Sequence, residues 1–400
     1  MRVFRFLFYS VVAVLIFLIC AFFYYSPMLK PFPKSTGPYD VGTVSYHFID
    51  SNRVEKHNKN KSRELMVKIW YPSDVDEKEQ KLYPYLPKKI SEIKKELQKD
   101  TGVSIPFWNV FLMGLQTYSI PVAAISNNKK AYPVIIFSHG LAGYSDVYSV
   151  YTADLASHGY VVVGINHTYG ADLTVFPDGR VVHVDERLSD GKNLLNKEWV
   201  EYAIEENKQW QKDIQFVLAD LKSINNKKNG KFYKKLDLEK VGVLGHSKGG
   251  IATVELCRND KKFKGGVSLD GWNNDFNSTD GINTPFLFLF GGESVYSGQV
   301  IKPTSIALKN LKMSLEAYRM WGRRIRETAE LFCANSGKNC HEVIIEGVGH
   351  EAFSDMILLK WPFGRILHMD VGSVEPYQTI AFIREKIRKF FDSYVGDVEV

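Results

Sequence analysis

The chain is poor in cysteine, has no long run of one charge, and contains no internal repeat or low-complexity segment. Four cysteines in 400 residues are too few for a disulfide-based scaffold, and no Cys/His spacing resembles a zinc site. The net charge of +6 is small for this length, and no basic face is interleaved with aromatic residues, which argues against nucleic-acid binding. What remains is a globular composition, with 45% hydrophobic residues and enough length for one large domain or two small ones.

Two of the cysteines lie close together in the sequence. Cys333 and Cys340 flank a turn-like segment, Ala-Asn-Ser-Gly-Lys-Asn. Disulfides form and persist in oxidising compartments and are rare in the cytosol. The spacing therefore predicts a local disulfide, provided that this part of the chain lies outside the cytoplasm.

The N-terminus carries the longest apolar run. Arg2 and Arg5 precede an uncharged stretch from Phe6 to Tyr25, and about 20 apolar residues suffice to cross a bilayer as a helix. The basic residues would keep the N-terminus in the cytoplasm. Residues 1–25 are thus predicted to be a signal-anchor that tethers the chain to a membrane, with the remainder on the periplasmic or extracellular side. The alternative is a cleaved signal peptide and a secreted protein.

A proline-rich linker, 26–39, separates this segment from a catalytic domain predicted over 40–400. The domain opens with two alternating strands, Val41–Asp50 and Arg63–Tyr71, which are predicted to pair antiparallel. Continuous apolar strands then alternate with amphipathic helices. This order predicts an α/β fold with a mostly parallel central sheet and helices on both faces. Residues from about 80 to 131 interrupt the order and are predicted to form a cap insertion.

The stretch Val241–Gly250 is typical of a nucleophile elbow, in which a buried strand runs through Gly-x-Ser-x-Gly into a helix. Such a turn lifts its serine, here Ser247, above the sheet edge. Gly245 and Gly249 leave room for the tight turn and for the helix to pack on the strand. The motif predicts an α/β-hydrolase fold with Ser247 as nucleophile.

A serine nucleophile needs a base and an acid, which in this fold follow it in the order Ser, Asp or Glu, His. His350 stands after the last predicted strand and is the predicted base. Two acids fit the order: Asp270 ends one strand, and Glu293 follows the next strand across two glycines. Topology alone leaves both acids open.

An oxyanion hole requires two backbone N–H groups that point at the developing charge. The amide of Lys248, directly after the nucleophile, is the first predicted donor. The amide of Leu141, in the loop after the strand Val134–Phe137, is the second. The side chain of Lys248 is expected to be solvated.

Several segments share one further pattern. They resemble the platelet-activating factor acetylhydrolase family in order and in motif, from about Gly37 to the C-terminus. The segments are Ser138-His139-Gly140-Leu141, Asp154-Leu155-Ala156-Ser157-His158-Gly159, Gly245-His246-Ser247-x-Gly249-Gly250, Leu269-Asp270-x-Trp272 and Val348-x-His350-x-x-Phe353.

The resemblance implies which acid and which oxyanion donors the site would use. The family's acid stands in the Leu-Asp-x-Trp motif, which implies Asp270 over Glu293, and the family's oxyanion donors fall on Leu141 and Lys248. The chain departs from the family at Lys248, where phenylalanine is common. It departs also in a long insertion, about 294–340, which is expected to form a lid that sets acyl preference.

We therefore expect a serine esterase that needs no metal or cofactor. Its partners would be a lipid or small ester substrate and a membrane held through the N-terminal segment, with no nucleic acid. The resemblance implies hydrolysis of a short or oxidised sn-2 acyl group of a glycerophospholipid. A general carboxylesterase for small soluble esters and a non-catalytic binding protein on a hydrolase fold are the alternatives.

Overall fold

A nine-stranded sheet organises the part of the chain that the computed structural model describes. The described residues are 2–25, 32–74, 82–85, 116–189, 197–272, 280–294, 314–359 and 370–396. The sheet strands are β1 (Asp40–Glu55), β2 (Asn58–Ser73), β5 (Ile120–Pro121), β6 (Tyr132–Ser138), β7 (Val161–Asn166), β10 (Leu236–His246), β11 (Phe263–Leu269), β12 (Phe286–Gly291) and β13 (Cys340–Ile345). Four further short strands form two small ladders: β3 (Tyr83–Pro84) with β4 (Gln116–Thr117), and β8 (Leu173–Val175) with β9 (Val181–His183).

The strand order in the large sheet is β13-β12-β11-β10-β6-β7-β2-β1-β5. All neighbouring pairs from β7 to β13 are parallel, and β2 pairs antiparallel with both β1 and β7. The predicted α/β class, its mostly parallel sheet and its antiparallel opening pair are confirmed. Parallel neighbours need crossover connections, and helices lie in the chain between β6 and β7, between β10 and β11, and between β12 and β13.

Helices cover both faces of the sheet. The α-helices of the described residues are α1 (Arg2–Tyr25), α2 (Ser149–Ser157), α3 (Glu186–Ser189), α4 (Lys197–Asn226), α5 (Lys248–Asn259), α6 (Leu315–Ser336) and α7 (Pro376–Tyr394), of which α2 and α4 to α7 pack on the sheet. Helices α2 and α7 share one apolar cluster with the sheet, and α4, α5 and α6 share the other. The faces follow from the two-residue period of a strand: along β6, Ile135 and Phe137 join the first cluster, whereas Val134 and Ile136 join the second.

The N-terminal residues Arg2–Tyr25 form helix α1. Of the helices in the described part of the chain, none combines the length and apolar character that a membrane span requires. The predicted transmembrane signal-anchor over 1–25 therefore gains no support from the structure.

The two predicted insertions are only partly described. Within 80–131, the segment at Ile120–Pro121 adds the edge strand β5 to the main sheet, beside β1. Within 294–340, helix α6 lies between β12 and β13 in the chain and buries Ala329 and Phe332 in the core of the sheet. Residues 86–115 and 295–313 lie outside the described residues.

Cys333 and Cys340 are joined in a disulfide, with Cα atoms 5.0 Å apart. The bond ties the C-terminal part of α6 to the first residue of β13. Cys257, on α5, is a free cysteine buried in the core.

A buried carboxylate holds the start of α2 against the chain that follows β13. Asp355 accepts hydrogen bonds from the Ser149 amide (2.9 Å), the Ser149 hydroxyl (2.8 Å), the Val150 amide (2.9 Å) and the Tyr85 hydroxyl (2.5 Å). The negative charge also interacts favourably with the positive end of the helix dipole. The contact connects an early helix with a segment about two hundred residues later.

Replacing Asp355 by asparagine is expected to lower the free energy of unfolding by about 1–3 kcal/mol, because an amide nitrogen would face a buried donor. Urea denaturation measures the change. The control is Glu239→Gln, which alters an exposed carboxylate and should stay within about 0.5 kcal/mol of wild type. Equal losses in the two variants would show that the Asp355 contacts contribute nothing specific.

Candidate active site

Ser247 occupies the sharp turn between β10 and α5. Its backbone lies in an unusual region (φ 51°, ψ −118°), and its amide donates to the Leu269 carbonyl at 2.9 Å. Residues other than glycine rarely adopt such a positive φ, and those that do cluster at functional sites. A Cβ on Gly245 would come within 2.2 Å of the Gly249 carbonyl oxygen, and one on Gly249 within 2.2 Å of the Ser138 oxygen. The turn is therefore closed to any larger residue at both glycines.

His350 reaches Ser247 from the loop after β13. It begins a short 3₁₀ turn, His350–Phe353, and its Nε2 lies 3.0 Å from Ser247 Oγ. The other ring nitrogen, Nδ1, lies 2.5 Å from Asp270 Oδ2. Because the carboxylate accepts a hydrogen bond from Nδ1–H, the neutral ring leaves Nε2 free to accept the proton of the serine hydroxyl.

Asp270 directly follows β11 and is fully buried. Its Oδ1 accepts from the Gly291 amide at 2.9 Å, and its Oδ2 accepts from the Ser294 hydroxyl at 2.5 Å as well as from His350. Like Ser247, Asp270 has a positive φ, 50°. These contacts fix the carboxylate so that one oxygen points at the imidazole.

Glu293, the other acid that the sequence left open, lies elsewhere. Its carboxylate accepts a hydrogen bond from the Ser373 hydroxyl, and its amide donates to the Val348 carbonyl. The structure thus brings Asp270, rather than Glu293, within hydrogen-bond distance of His350.

The charge of Asp270 governs the ionisation of His350. Burial of the imidazole opposes its protonation, but the hydrogen bond and negative charge of Asp270, with smaller contributions from Glu351 and Asp370, raise the pKa of His350 to about 9. The direction follows from an opposite charge in direct contact with the ring.

The loop after β6 lies against the nucleophile. A Cβ on Gly140 would come within 3.3 Å of Ser247 Cβ and 2.8 Å of His246 Nδ1. Leu141 follows Gly140 directly in this loop. Lys248 is the first residue of α5, where backbone N–H groups have no partner within the helix. The two residues predicted to supply the oxyanion donors thus lie in the loop and in the turn that meet at Ser247.

The side chain of Lys248 does not extend into solvent as expected. Its Nζ donates to the Ala203 carbonyl at 3.3 Å and lies 5.5 Å from the centre of the Trp210 ring. Burial lowers the pKa of Lys248 to about 8. The expectation failed because a turn motif carries no information about helix α4, which packs over it.

Sequence reasoning also passed over residues that touch the site. Ser294 binds the acid, and the sequence signal available was its place in the same loop as Glu293. His246 lies on the elbow itself, and its ring centre is 4.6 Å from that of His350. Tyr148, which contacts His246, had no local signal at all.

Across the described residues, no group of three or more His, Cys, Asp and Glu side chains is placed to hold a metal ion. The chemistry available here is that of a hydroxyl, an imidazole and a carboxylate in one hydrogen-bonded row. Such a row activates a serine for attack on an acyl carbonyl.

Comparisons with known proteins agree with this geometry. A family model for platelet-activating factor acetylhydrolase, isoform II, matches residues 26–399. Platelet-activating factor acetylhydrolase of Bos taurus is 26% identical over 260 residues, and the Canis lupus familiaris protein is 28% identical over 258 residues. Each alignment covers 60% of this chain and 55% of the relative, so the match spans about half the length of these relatives.

A solved structure extends the similarity of fold. Ferulic acid esterase from Streptomyces cinnamoneus superposes with a TM-score of 0.64 over 93% of this chain and 94% of that one, at 23% sequence identity. At this identity the similarity concerns the fold alone.

Proposed function

Because the chain belongs to the platelet-activating factor acetylhydrolase isoform II family, we propose that it is a serine ester hydrolase acting on glycerophospholipids. The preferred substrate would carry a short or oxidised acyl group at sn-2. One observation carries the proposal: Ser247 Oγ, His350 and Asp270 form a continuous row, with contacts of 3.0 Å and 2.5 Å, at a strained strand-to-helix turn.

The proposed reaction gives each member of the row a separate role. Ser247 Oγ attacks the ester carbonyl while His350 Nε2 takes its proton, and Asp270 stabilises the imidazolium that forms. The amides of Leu141 and Lys248 donate to the oxyanion of the tetrahedral intermediate. His350 returns the proton to the departing alcohol, the lysolipid. A water molecule, activated by the same imidazole, then releases the acid from Ser247.

The pH dependence of hydrolysis should report His350. The base must be neutral to accept a proton, and its pKa is raised to about 9. We therefore expect kcat/KM to fall as the pH drops through that region, at a midpoint above the ordinary histidine value of about 6.5. A rate profile from pH 5 to 10 on a substrate whose own chemistry does not titrate there measures this. A midpoint below 6.5 would contradict the ion pair between His350 and Asp270.

The substrate class is tested with the full chain and Ser247→Ala as its control. The panel holds phosphatidylcholines with acetyl, butyryl or palmitoyl groups at sn-2, together with nitrophenyl acetate. Rapid release from the acetyl lipid and none from the palmitoyl lipid supports the proposal. Activity on nitrophenyl acetate alone indicates a general carboxylesterase. If no substrate of the panel is hydrolysed and a fluorophosphonate does not label Ser247, the chain is a binding protein.

We also infer that the domain acts outside the cytoplasm, because the Cys333–Cys340 disulfide suits an oxidising compartment. The N-terminal segment would then be an export signal. Mass spectrometry of the mature protein checks both points. An N-terminus after Tyr25 supports a cleaved signal and a secreted protein, whereas an intact Met1 leaves the segment attached. Free thiols at Cys333 and Cys340 in protein alkylated within cells would contradict the location.

A further inference from the structure

A second row of hydrogen bonds links the loop after β6 to the backbone of His350 through two side chains, Tyr148 and His246. The Gly140 amide donates to Tyr148 Oη at 3.0 Å. The Tyr148 hydroxyl lies 2.9 Å from His246 Nδ1, and His246 Nε2 lies 3.0 Å from the backbone carbonyl oxygen of His350. Both connecting side chains are almost inaccessible, with 2% of the surface of Tyr148 and of His246 exposed.

The chemistry of the two ends fixes the direction of every bond. An amide N–H can only donate, so the tyrosine oxygen accepts from Gly140 and its own proton is left for His246 Nδ1. A carbonyl oxygen can only accept, so the His350 carbonyl takes its hydrogen bond from the proton on His246 Nε2. When His246 is neutral, its proton therefore lies on Nε2 and its Nδ1 accepts from the Tyr148 hydroxyl, which is a single arrangement that satisfies all partners.

Burial favours these neutral forms. Removal from water, with the neighbouring imidazole of His350 as a second cause, lowers the pKa of His246 well below its ordinary value. Burial likewise raises the pKa of the Tyr148 hydroxyl far above its ordinary value. Neither group should change its charge across the pH range in which an esterase works. The row can therefore fix the relative positions of its two ends, but it cannot carry a change of charge between them.

The two ends belong to the two parts of the machinery that must face the same substrate carbonyl. Gly140 precedes the oxyanion donor Leu141, and the carbonyl at the far end belongs to the base itself. These parts come from loops about two hundred residues apart in the chain. A displacement of about 1 Å in a reacting group can cost about 100-fold in rate.

From this geometry we infer that Tyr148 and His246 are positioning residues. They hold the oxyanion loop and the backbone of His350 in one fixed relation across Ser247. The inference rests on the proposed function, in which Ser247, His350 and Leu141 act on an ester. It assigns a role to the histidine of the Gly-His-Ser turn, which the reaction itself leaves unused.

The first test is Tyr148→Phe, which keeps the ring and removes the hydroxyl. We expect kcat to fall about 10- to 100-fold with little change in KM, because substrate binding is retained while the alignment of donor and base is lost. The rate of labelling by a fluorophosphonate should fall in parallel. The midpoint of the pH profile should stay in place, because no charge near His350 has been altered.

The matched control is Tyr160→Phe. Tyr160 is equally buried, and its hydroxyl donates to Asp392 at 2.8 Å, away from Ser247. This variant should lose stability but keep kcat within about twofold of wild type. If Tyr148→Phe also keeps its kcat, or loses only stability as the control does, the positioning role is overturned.

A second pair of variants examines His246. His246→Gln retains a donor for the His350 carbonyl, so it should keep more activity than His246→Leu, which retains none. In the double variant Tyr148→Phe/His246→Leu the losses should be far less than additive, because each change breaks the same row. Fully additive losses would mean that the two residues act separately.

A measurement without turnover separates this inference from the proposed function. Protein with ¹⁵N-labelled histidine reports the tautomer of each ring, and His246→Gln assigns the signal. We expect His246 to be locked as the Nε2–H tautomer in wild type. In Tyr148→Phe it should keep that tautomer, because the His350 carbonyl still accepts from Nε2, while its Nδ1 signal shifts because the hydrogen bond from Tyr148 is lost. A mixed or charged ring in wild type overturns the inference. If the protein does not hydrolyse esters but His246 is still held as the Nε2–H tautomer, the result would count against the proposed function alone.

Discussion

Replacing Ser247 by alanine is expected to lower kcat for ester hydrolysis by about 10⁶-fold and to abolish labelling by a fluorophosphonate. The reason is that no other group in the row can form the acyl intermediate. Removing the nucleophile leaves only the oxyanion donors and substrate binding, which retain about 10³-fold over the uncatalysed rate. The fold should persist, because alanine and serine tolerate the positive φ of this turn to a similar degree.

Ser145→Ala is the matched control for this variant. Ser145 is a buried serine in the segment that leads into α2, and within the described residues its hydroxyl has no hydrogen-bond partner. Its removal should leave kcat near the wild-type value. If Ser247→Ala retained more than about 1% of wild-type kcat, the nucleophile would have been assigned to the wrong residue.

The second large effect is expected from Asp270→Asn, which should lower kcat by about 10⁴-fold. Asparagine preserves the shape of the side chain, but its amide group meets donors on every side: the Gly291 amide, the Ser294 hydroxyl and the Nδ1 proton of His350. The imidazole is then held in the wrong tautomer, with its proton toward Ser247. The pKa of His350 should also fall, because the charge that raises it has been removed.

Glu293→Gln serves as the control for the acid. Its carboxylate accepts from Ser373 rather than from His350, so the variant should keep kcat and the pH midpoint close to those of wild type. Steady-state rates on nitrophenyl acetate from pH 5 to 10 are sufficient for the comparison. The reverse pattern, in which Glu293→Gln is inactive and Asp270→Asn retains turnover, would show that the acid is Glu293.

The lysine after the nucleophile is the main departure from the resembling family within the motifs. The structure directs its side chain toward α4, where it meets the Ala203 carbonyl and the Trp210 ring. Its backbone amide remains at the first position of α5. A change of side chain here therefore leaves the proposed oxyanion donor in place, because that donor is the backbone.

The sequence by itself determined the local features. The buried strands and the amphipathic helix through Trp210 follow from the short-range periodicity of apolar residues. The Gly-x-Ser-x-Gly turn follows from glycines that no larger residue can replace. The sequence also predicted that Ser247, Asp270 and His350 would meet, because each follows a predicted strand of a parallel sheet. The carboxyl ends of such strands lie at one edge of the sheet.

Only the tertiary structure decided relations between residues distant in the chain. Strand order and loop path placed Asp270 against His350 and Glu293 against Ser373, a choice that topology had left open and that resemblance had favoured. The same packing turned the Lys248 side chain toward the Ala203 carbonyl and brought Tyr148 to His246. Local periodicity cannot encode these contacts, because each depends on how separate elements pack across a sheet whose strands come from distant parts of the chain.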